Sequence, residues 1–218
     1  MSRCYYDVYR SFLVKNAVYD GKDELPWIKT SRCIPNRVVT FSKAMLKEFR
    51  DFDCWVVFYE HDVGFERLWH NPKQYLNKLK KFNGIISPDF SLYRNMPLVM
   101  QKWNTYRGRA LAAWLQKNGI EVIPNVRFND ERTYEFCFDG IEWGKTVAVG
   151  TLGTLQNSIN RRCFKNGLKE LFERLAPENL IVYGCVPEEI FGEYRDKGVN
   201  IVAFEPEILT CRKGAVRS

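Results

Sequence analysis

The sequence predicts an α/β fold: a single domain of about seven mostly parallel strands with helical crossovers, barrel-like or an incomplete barrel, plus an irregular N-terminal arm. Three observations predict it. From residue 37 onward, short apolar runs rich in Val and Ile recur with little polar alternation, as expected of strands covered on both faces. Segments with helical spacing and helix punctuation lie between them. The chain has 218 residues, 45% hydrophobic and 15% aromatic, which is enough for one large core, and no Pro/Gly/Ser-rich linker marks a second.

The strand runs are 37–41, 55–59, 84–87, 120–126, 145–150, 179–183 and 199–204. Between the first two, Ser42 is placed to cap a short helix carrying Met45, Leu46 and Phe49. Asn71-Pro72 sets a cap residue before a Pro at the first helical position; Tyr75, Leu76, Leu79 and Phe82 then share a face, and Asn83-Gly84 ends the helix. Pro97 opens the longest helix, where Val99, Trp103, Tyr106, Ala110 and Trp114 recur at three and four residues and Gly119 closes. Phe164, Leu168, Leu171, Phe172 and Leu175 form another stripe, ended by Pro177. Pro187-Glu188-Glu189 starts the last helix with acids at its positive end, and Gly198 stops it. Right-handed crossovers between successive strands then lead to a barrel, for which this chain is short, or to an open doubly wound sheet. Residues 1–36 break the alternation and read as an arm packed on the domain formed by 37–218.

The net charge is +7, and the first 50 residues carry ten basic and five acidic side chains. A basic end of this kind suits nucleic acid or an acidic protein face, or is simply a solvated surface. Seven widely spaced cysteines without a CxxC pair read as reduced, mostly buried thiols in a cytoplasmic protein. No apolar run is long enough for a spanning helix, so no membrane is expected, and the first residues show no secretory signal.

Both architectures gather ligands beyond the carboxyl ends of the strands. Asp62 follows the second strand; Asp89, Tyr93 and Arg94 follow the third; Asn125 and Arg127 the fourth; Gly150, Thr151, Gly153 and Thr154 the fifth; Glu205 the seventh. The candidate catalytic set is Asp62, Asp89, Asn125, Arg127 and Glu205. If its carboxylates converge, like-charge crowding raises a pKa or draws in a Mg²⁺-type cation, and either serves hydrolysis or phosphoryl transfer. Asp89 would be a base or metal ligand, Arg94 and Arg127 would clamp an anion, and Asn125 would orient the ligand. The candidate ligand-binding set is Tyr93, Arg94, Gly150, Thr151, Gly153 and Thr154. Its glycines lie between a strand and a helix beginning near Ser158, where backbone N–H groups can meet an anion, although glycine also serves a plain turn. No cofactor is expected and no metal ligands are assigned beyond that divalent-cation alternative. His61 is either a proton shuttle or an exposed side chain. GxSxG, HExxH and GxxxxGK[ST] are absent.

Ser87-Pro88-Asp89-Phe90-Ser91-Leu92-Tyr93-Arg94, Trp103-Asn104-Thr105-Tyr106-Arg107 and Ile123-Pro124-Asn125-Val126-Arg127-Phe128 resemble an uncharacterised domain-of-unknown-function family of phages, plasmids and integrative elements in Gram-positive bacteria. The resemblance runs from about residue 37 to 206. It implies a mobile-element origin and one β/α domain, and carries no catalytic residues across. Two functions follow as expectations. One is a mobile-element accessory protein of the bacterial cytoplasm that binds or acts on a phosphorylated or nucleotide-like ligand. The other is a non-catalytic inhibitor docking on a host defence complex, anti-CRISPR-like, through Arg3, Arg10, Lys15, Lys29 and nearby aromatics. Direct nucleic-acid binding is a third, without a supporting motif. The oligomeric state is left open.

Overall fold

The computed structural model describes residues 7–206. In the N-terminal arm, β1 (Tyr19–Asp20) and β2 (Leu25–Pro26) form an antiparallel hairpin. The seven expected strands follow as β3 (Val38–Thr40), β4 (Trp55–Val57), β5 (Gly84–Ile86), β6 (Val122–Ile123), β7 (Thr146–Gly150), β8 (Asn179–Tyr183) and β9 (Asn200–Phe204). Between them lie α1 (Phe41–Ala44), α2 (Asp62–His70), α3 (Pro72–Leu79), α4 (Leu98–Lys117), α5 (Ser158–Leu175) and α6 (Glu188–Asp196).

Strands β3 to β6 form one parallel ladder and β7 to β9 another, each in chain order. A parallel bridge between Asn125 and Ala148 joins them. There the Val126 N–H donates to the Ala148 carbonyl and the Ala148 N–H to the Pro124 carbonyl, both at 2.8 Å. Alternate residues point to opposite faces; in β4 to β8 both faces are buried, and the edge strands β3 and β9 are only partly covered. Trp55, Val57, Ile86, Ile123, Ala148 and Ile181 meet on the inside. On the outside, Val39, Val56, Ile85 and Val122 join the helices of the first half, and Val147, Val149, Leu180 and Val182 join those of the second. This is why the strand runs show no polar alternation.

One contact fixes the curvature. The rings of Tyr59, just past β4, and Tyr183, ending β8, stack with centroids 4.8 Å apart and planes 14° from parallel. Four strand spacings of about 4.8 Å would hold their backbones roughly 19 Å apart in a flat sheet, so the sheet curls into a barrel. Among the described residues β3 and β9 share no ladder, and the barrel is open. The arm crosses the amino ends of the strands: the Ser31 N–H donates to the Val122 carbonyl at 2.7 Å and the Thr30 hydroxyl to the Thr146 carbonyl at 2.5 Å. No helix among the described residues is long and apolar enough to cross a membrane.

Several local expectations need correction. Thr40, not Ser42, occupies the cap position of α1, because the Glu60 carboxylate instead accepts the Ser42 backbone N–H at 2.9 Å. Helix α3 ends at Leu79, before Asn83-Gly84. A helix absent from the expected series, α2, begins at Asp62. The stripe on α4 is buried only in its later turns: Val99 is 73% and Trp103 43% exposed, whereas Gln101, Asn104, Arg107 and Arg109 are buried. The first turns of α4 face an irregular loop whose backbone needs partners, so Gln101 donates to the Met96 carbonyl and Asn104 to the Ser91 carbonyl. Of the described cysteines, Cys54 and Cys137 are buried, Cys163 is half-buried, and Cys33 and Cys185 are exposed, so the thiols are less buried than their apolar surroundings suggested. Cys4, Cys211 and Arg3 lie outside the described residues.

Gly84 pairs with Trp55 across the β4–β5 ladder, and a Cβ on it would stand 2.5 Å from the indole ring. Gly84→Ala should lower stability by about 1–3 kcal/mol through overpacking, read as a fall in the urea midpoint with unchanged slope.

Candidate functional site

The carboxyl ends of the strands open into a cleft of about 840 Å³, within the size range of small-molecule sites. Tyr59, Glu60 and His61 come from the end of β4; Asp89, Tyr93 and Arg94 from the loop after β5; Arg127 and Phe128 from the segment after β6; Gly150, Gly153 and Thr154 from the turn into α5. Phe164 and Cys163 on α5 complete an apolar side.

A chain of buried polar contacts lies beneath it. The Tyr59 hydroxyl donates to Asn125 Oδ1 at 2.9 Å, and Asn125 Nδ2 donates to Asp89 Oδ1 at 2.7 Å. Arg127 Nη1 donates to Asp89 Oδ2 at 3.2 Å. Asn125 is 3% and Asp89 8% exposed, so an unsatisfied group here would cost several kcal/mol. Two further residues fix Asn125. Its N–H donates to Ser87 Oγ at 2.8 Å, and its carbonyl accepts from Arg109 Nη1 at 3.0 Å. Buried Arg109 also donates to the carbonyls of Cys137 and Asp139, and burial pulls its pKa down to about 10, which leaves it charged near neutrality.

Burial raises the Asp89 pKa, opposed by the Arg127 charge and the Asn125 hydrogen bond and assisted by the Asp62 charge. Burial, with the Asp89 charge second, likewise lifts the Tyr59 hydroxyl well above its usual value. Tyr59 is therefore a neutral donor over the physiological range.

The loop carrying Tyr93 and Arg94 is tied down on several sides. Asp62 accepts from both the N–H and the hydroxyl of Ser91, at 3.1 and 2.8 Å. Asn129 donates to the Leu92 carbonyl, and Arg132, itself paired with Asp130, donates to the Arg94 carbonyl at 2.7 Å. Deeper in, Arg107 pairs with Glu66 at 2.5 Å and bonds Asn104.

The structure thus brings Asp89, Arg127, Tyr93, Arg94, Gly150, Gly153 and Thr154 to one cleft, with Asn125 directly behind Asp89. It does not bring the three carboxylates together. Asp62 opens α2 and is turned onto Ser91, while Glu205 is exposed beyond β9 and does not line the cleft. Among the described residues no three His, Cys, Asp or Glu side chains are grouped to hold a metal ion. Thr151 is buried, its hydroxyl bonding the Cys185 carbonyl at 2.9 Å, so it braces the turn rather than facing the cleft. Sequence reading missed Tyr59 and Arg109. Tyr59 could have been found as the last polar-tipped residue of a strand run; nothing in α4 marks Arg109 as buried.

The fold and cleft define an open parallel α/β barrel with a polar site at the carboxyl ends of its strands. The chain belongs to the family described as Domain of unknown function (DUF4417), whose model matches residues 17–205. It is 41% identical over 127 residues to the Gene 1 protein of Mycobacterium phage L5, covering 58% of this chain and 56% of that protein. It is 33% identical over 162 residues to the Gene 1 protein of Mycobacterium phage D29, covering 74% of this chain and 60% of that one. The matches thus span between half and two thirds of the length of these phage relatives. No solved structure matches.

Two outcomes test the site's construction. Because the folded-state pKa of Asp89 lies above its unfolded value, its stabilisation is complete below the unfolded value and is lost as pH rises through the folded one. Urea denaturation across acidic pH should show the native protein losing ground in that window to an Asp89→Asn variant; parallel pH profiles would contradict it. Asp62→Ala removes both acceptors of Ser91, and amide exchange at Ser91 should accelerate at least severalfold while exchange in β7 and β8 is unchanged.

Proposed function

We propose that the cleft binds a phosphorylated, nucleotide-like ligand. The observation that carries this reading is Arg127, held by one guanidinium nitrogen on buried Asp89 and lining the same cleft as the glycine turn into α5. A guanidinium fixed in this way keeps further N–H donors for a phosphate at little entropic cost. Arg94 supplies a second cation, and Gly153, Thr154 and Asn160 in the first turn of α5 line the same space, where backbone N–H groups can meet an anion. Phe128, Phe164 and Leu92 give the ligand's apolar part a surface.

The reading is of binding. Both oxygens of Asp89 are engaged, by Asn125 and by Arg127, which suits a residue that positions its neighbours better than one that takes a proton or a metal. The host is a bacterial cell, as for the phage relatives, and the site faces solvent at the open end of the barrel.

Calorimetric titration with nucleoside mono- and triphosphates tests the proposal. Binding by the native protein is expected, with affinity falling about tenfold or more in Arg94→Ala, since a charge-assisted hydrogen bond contributes about 1.5–3 kcal/mol. Arg94 is exposed on its loop, so this change leaves the buried Asp89 pair intact. Arg127→Ala should weaken binding further and also cost stability by leaving Asp89 unpaired. Absence of binding by the native protein at millimolar nucleotide would refute the reading.

A further inference from the structure

The mouth of the barrel contains a second hollow of about 290 Å³, on the side of β3 and β9. Thr40, Gly64, Tyr183 and Pro206 line it alone, and it shares Tyr59, Glu60, His61 and Leu152 with the larger cleft. The two spaces meet along that shared wall, and their charges differ. Arg94, Arg127 and the Asp89 carboxylate paired with Arg127 belong to the large cleft only, while Glu60 and His61 stand at the boundary.

Glu60 is arranged asymmetrically. Its Oε1 accepts the Ser42 backbone N–H at 2.9 Å. A Cβ on Gly64 would stand 2.9 Å from Ser42 Oγ, 3.3 Å from the Glu60 carboxyl carbon and 3.4 Å from Glu60 Oε2. Gly64 and Glu60 both line the small hollow, and an ionised carboxylate only accepts hydrogen bonds. A ligand that presents phosphate oxygens to the two arginines and extends to Glu60 therefore needs hydroxyl or amino donors at that end.

We infer that Glu60 receives the ribose hydroxyls of a nucleotide whose phosphate lies at Arg94 and Arg127, so that the site selects ribonucleotides over 2′-deoxyribonucleotides. A carboxylate accepting from a ribose 2′-hydroxyl is a recurrent solution for this sugar, and that hydroxyl is what separates the two nucleotide classes. The stacked rings of Tyr59 and Tyr183 form the inner surface of the small hollow, which gives the sugar an apolar face to rest on. This inference rests on the phosphate-binding reading above and specifies its ligand.

The test is calorimetric titration of the intact chain with AMP, GMP, CMP and UMP and with their 2′-deoxy counterparts, repeated on Glu60→Gln. Gln retains an acceptor for Ser42, and an unchanged urea midpoint confirms that the fold is kept. The native protein should bind the ribonucleotides about tenfold more tightly, and in Glu60→Gln the ratio should fall towards one, because the amide presents a donor to the sugar. Equal affinity of the native protein for both classes overturns the inference and leaves the phosphate site standing. A ribose preference that survives Glu60→Gln overturns the role of Glu60. No binding of either class removes the phosphate reading along with it.

Discussion

A parallel sheet buried on both faces has no room for polar side chains along its length. Here every strand from β3 to β9 gives one row of residues to the barrel interior and the other to the helices outside. Polar groups are displaced to the strand ends, where the chain leaves the sheet. One end is crossed by the arm through Thr30 and Ser31. The other stays open, and its loops carry the cleft. The stacking of Tyr59 on Tyr183 connects these facts: it draws β4 and β8 together across the interior and thereby converges loops that a flat sheet would spread along an edge.

The polar chain under the cleft is rigid for a related reason. Asp89, Asn125 and Tyr59 sit where water cannot replace a lost partner, so each bond constrains the next. Their mutual satisfaction does not make the Asp89–Arg127 pair a large net source of stability, since desolvation offsets much of the attraction. It makes the geometry specific. Arg109 extends that specificity into α4 by binding three carbonyls, among them that of Asn125. A cationic side chain is used here as a structural clamp on backbone, at the cost of a lowered pKa that still leaves it protonated.

The loop after β5 links the site to the rest of the molecule. Its turn carries Asp89 inward and Tyr93 and Arg94 outward, and Asp62, Asn104, Asn129 and Arg132 bind its backbone from three directions. The same loop contains one of the motifs through which the sequence resembles its family. The polar residues buried on α4 and the acid opening α2 follow from this loop: an irregular segment held against the body of a protein must find hydrogen-bond partners for its backbone.

The strand runs and the Pro and Gly punctuation were legible in the sequence because they report local physics: two-sided burial, fixed φ at proline, and the carboxyl-end rule of parallel folds. That was enough to place Asp89, Asn125, Arg127, Arg94 and the glycine turn at one end of one sheet. The pairing partners were not legible, because they depend on curvature and on contacts between residues far apart in the chain. Asp62, Asp89 and Glu205 look equivalent as residues following strands; only the tertiary structure turns Asp62 onto Ser91, buries Asp89 beside Arg127 and leaves Glu205 outside the cleft. Tyr59 and Arg109 acquire their roles solely from neighbours 16 or more residues away in the chain. Sequence determined which residues reach the open end, since strand direction is a local property; the fold decided which of them touch, since closing a curved sheet is a collective one.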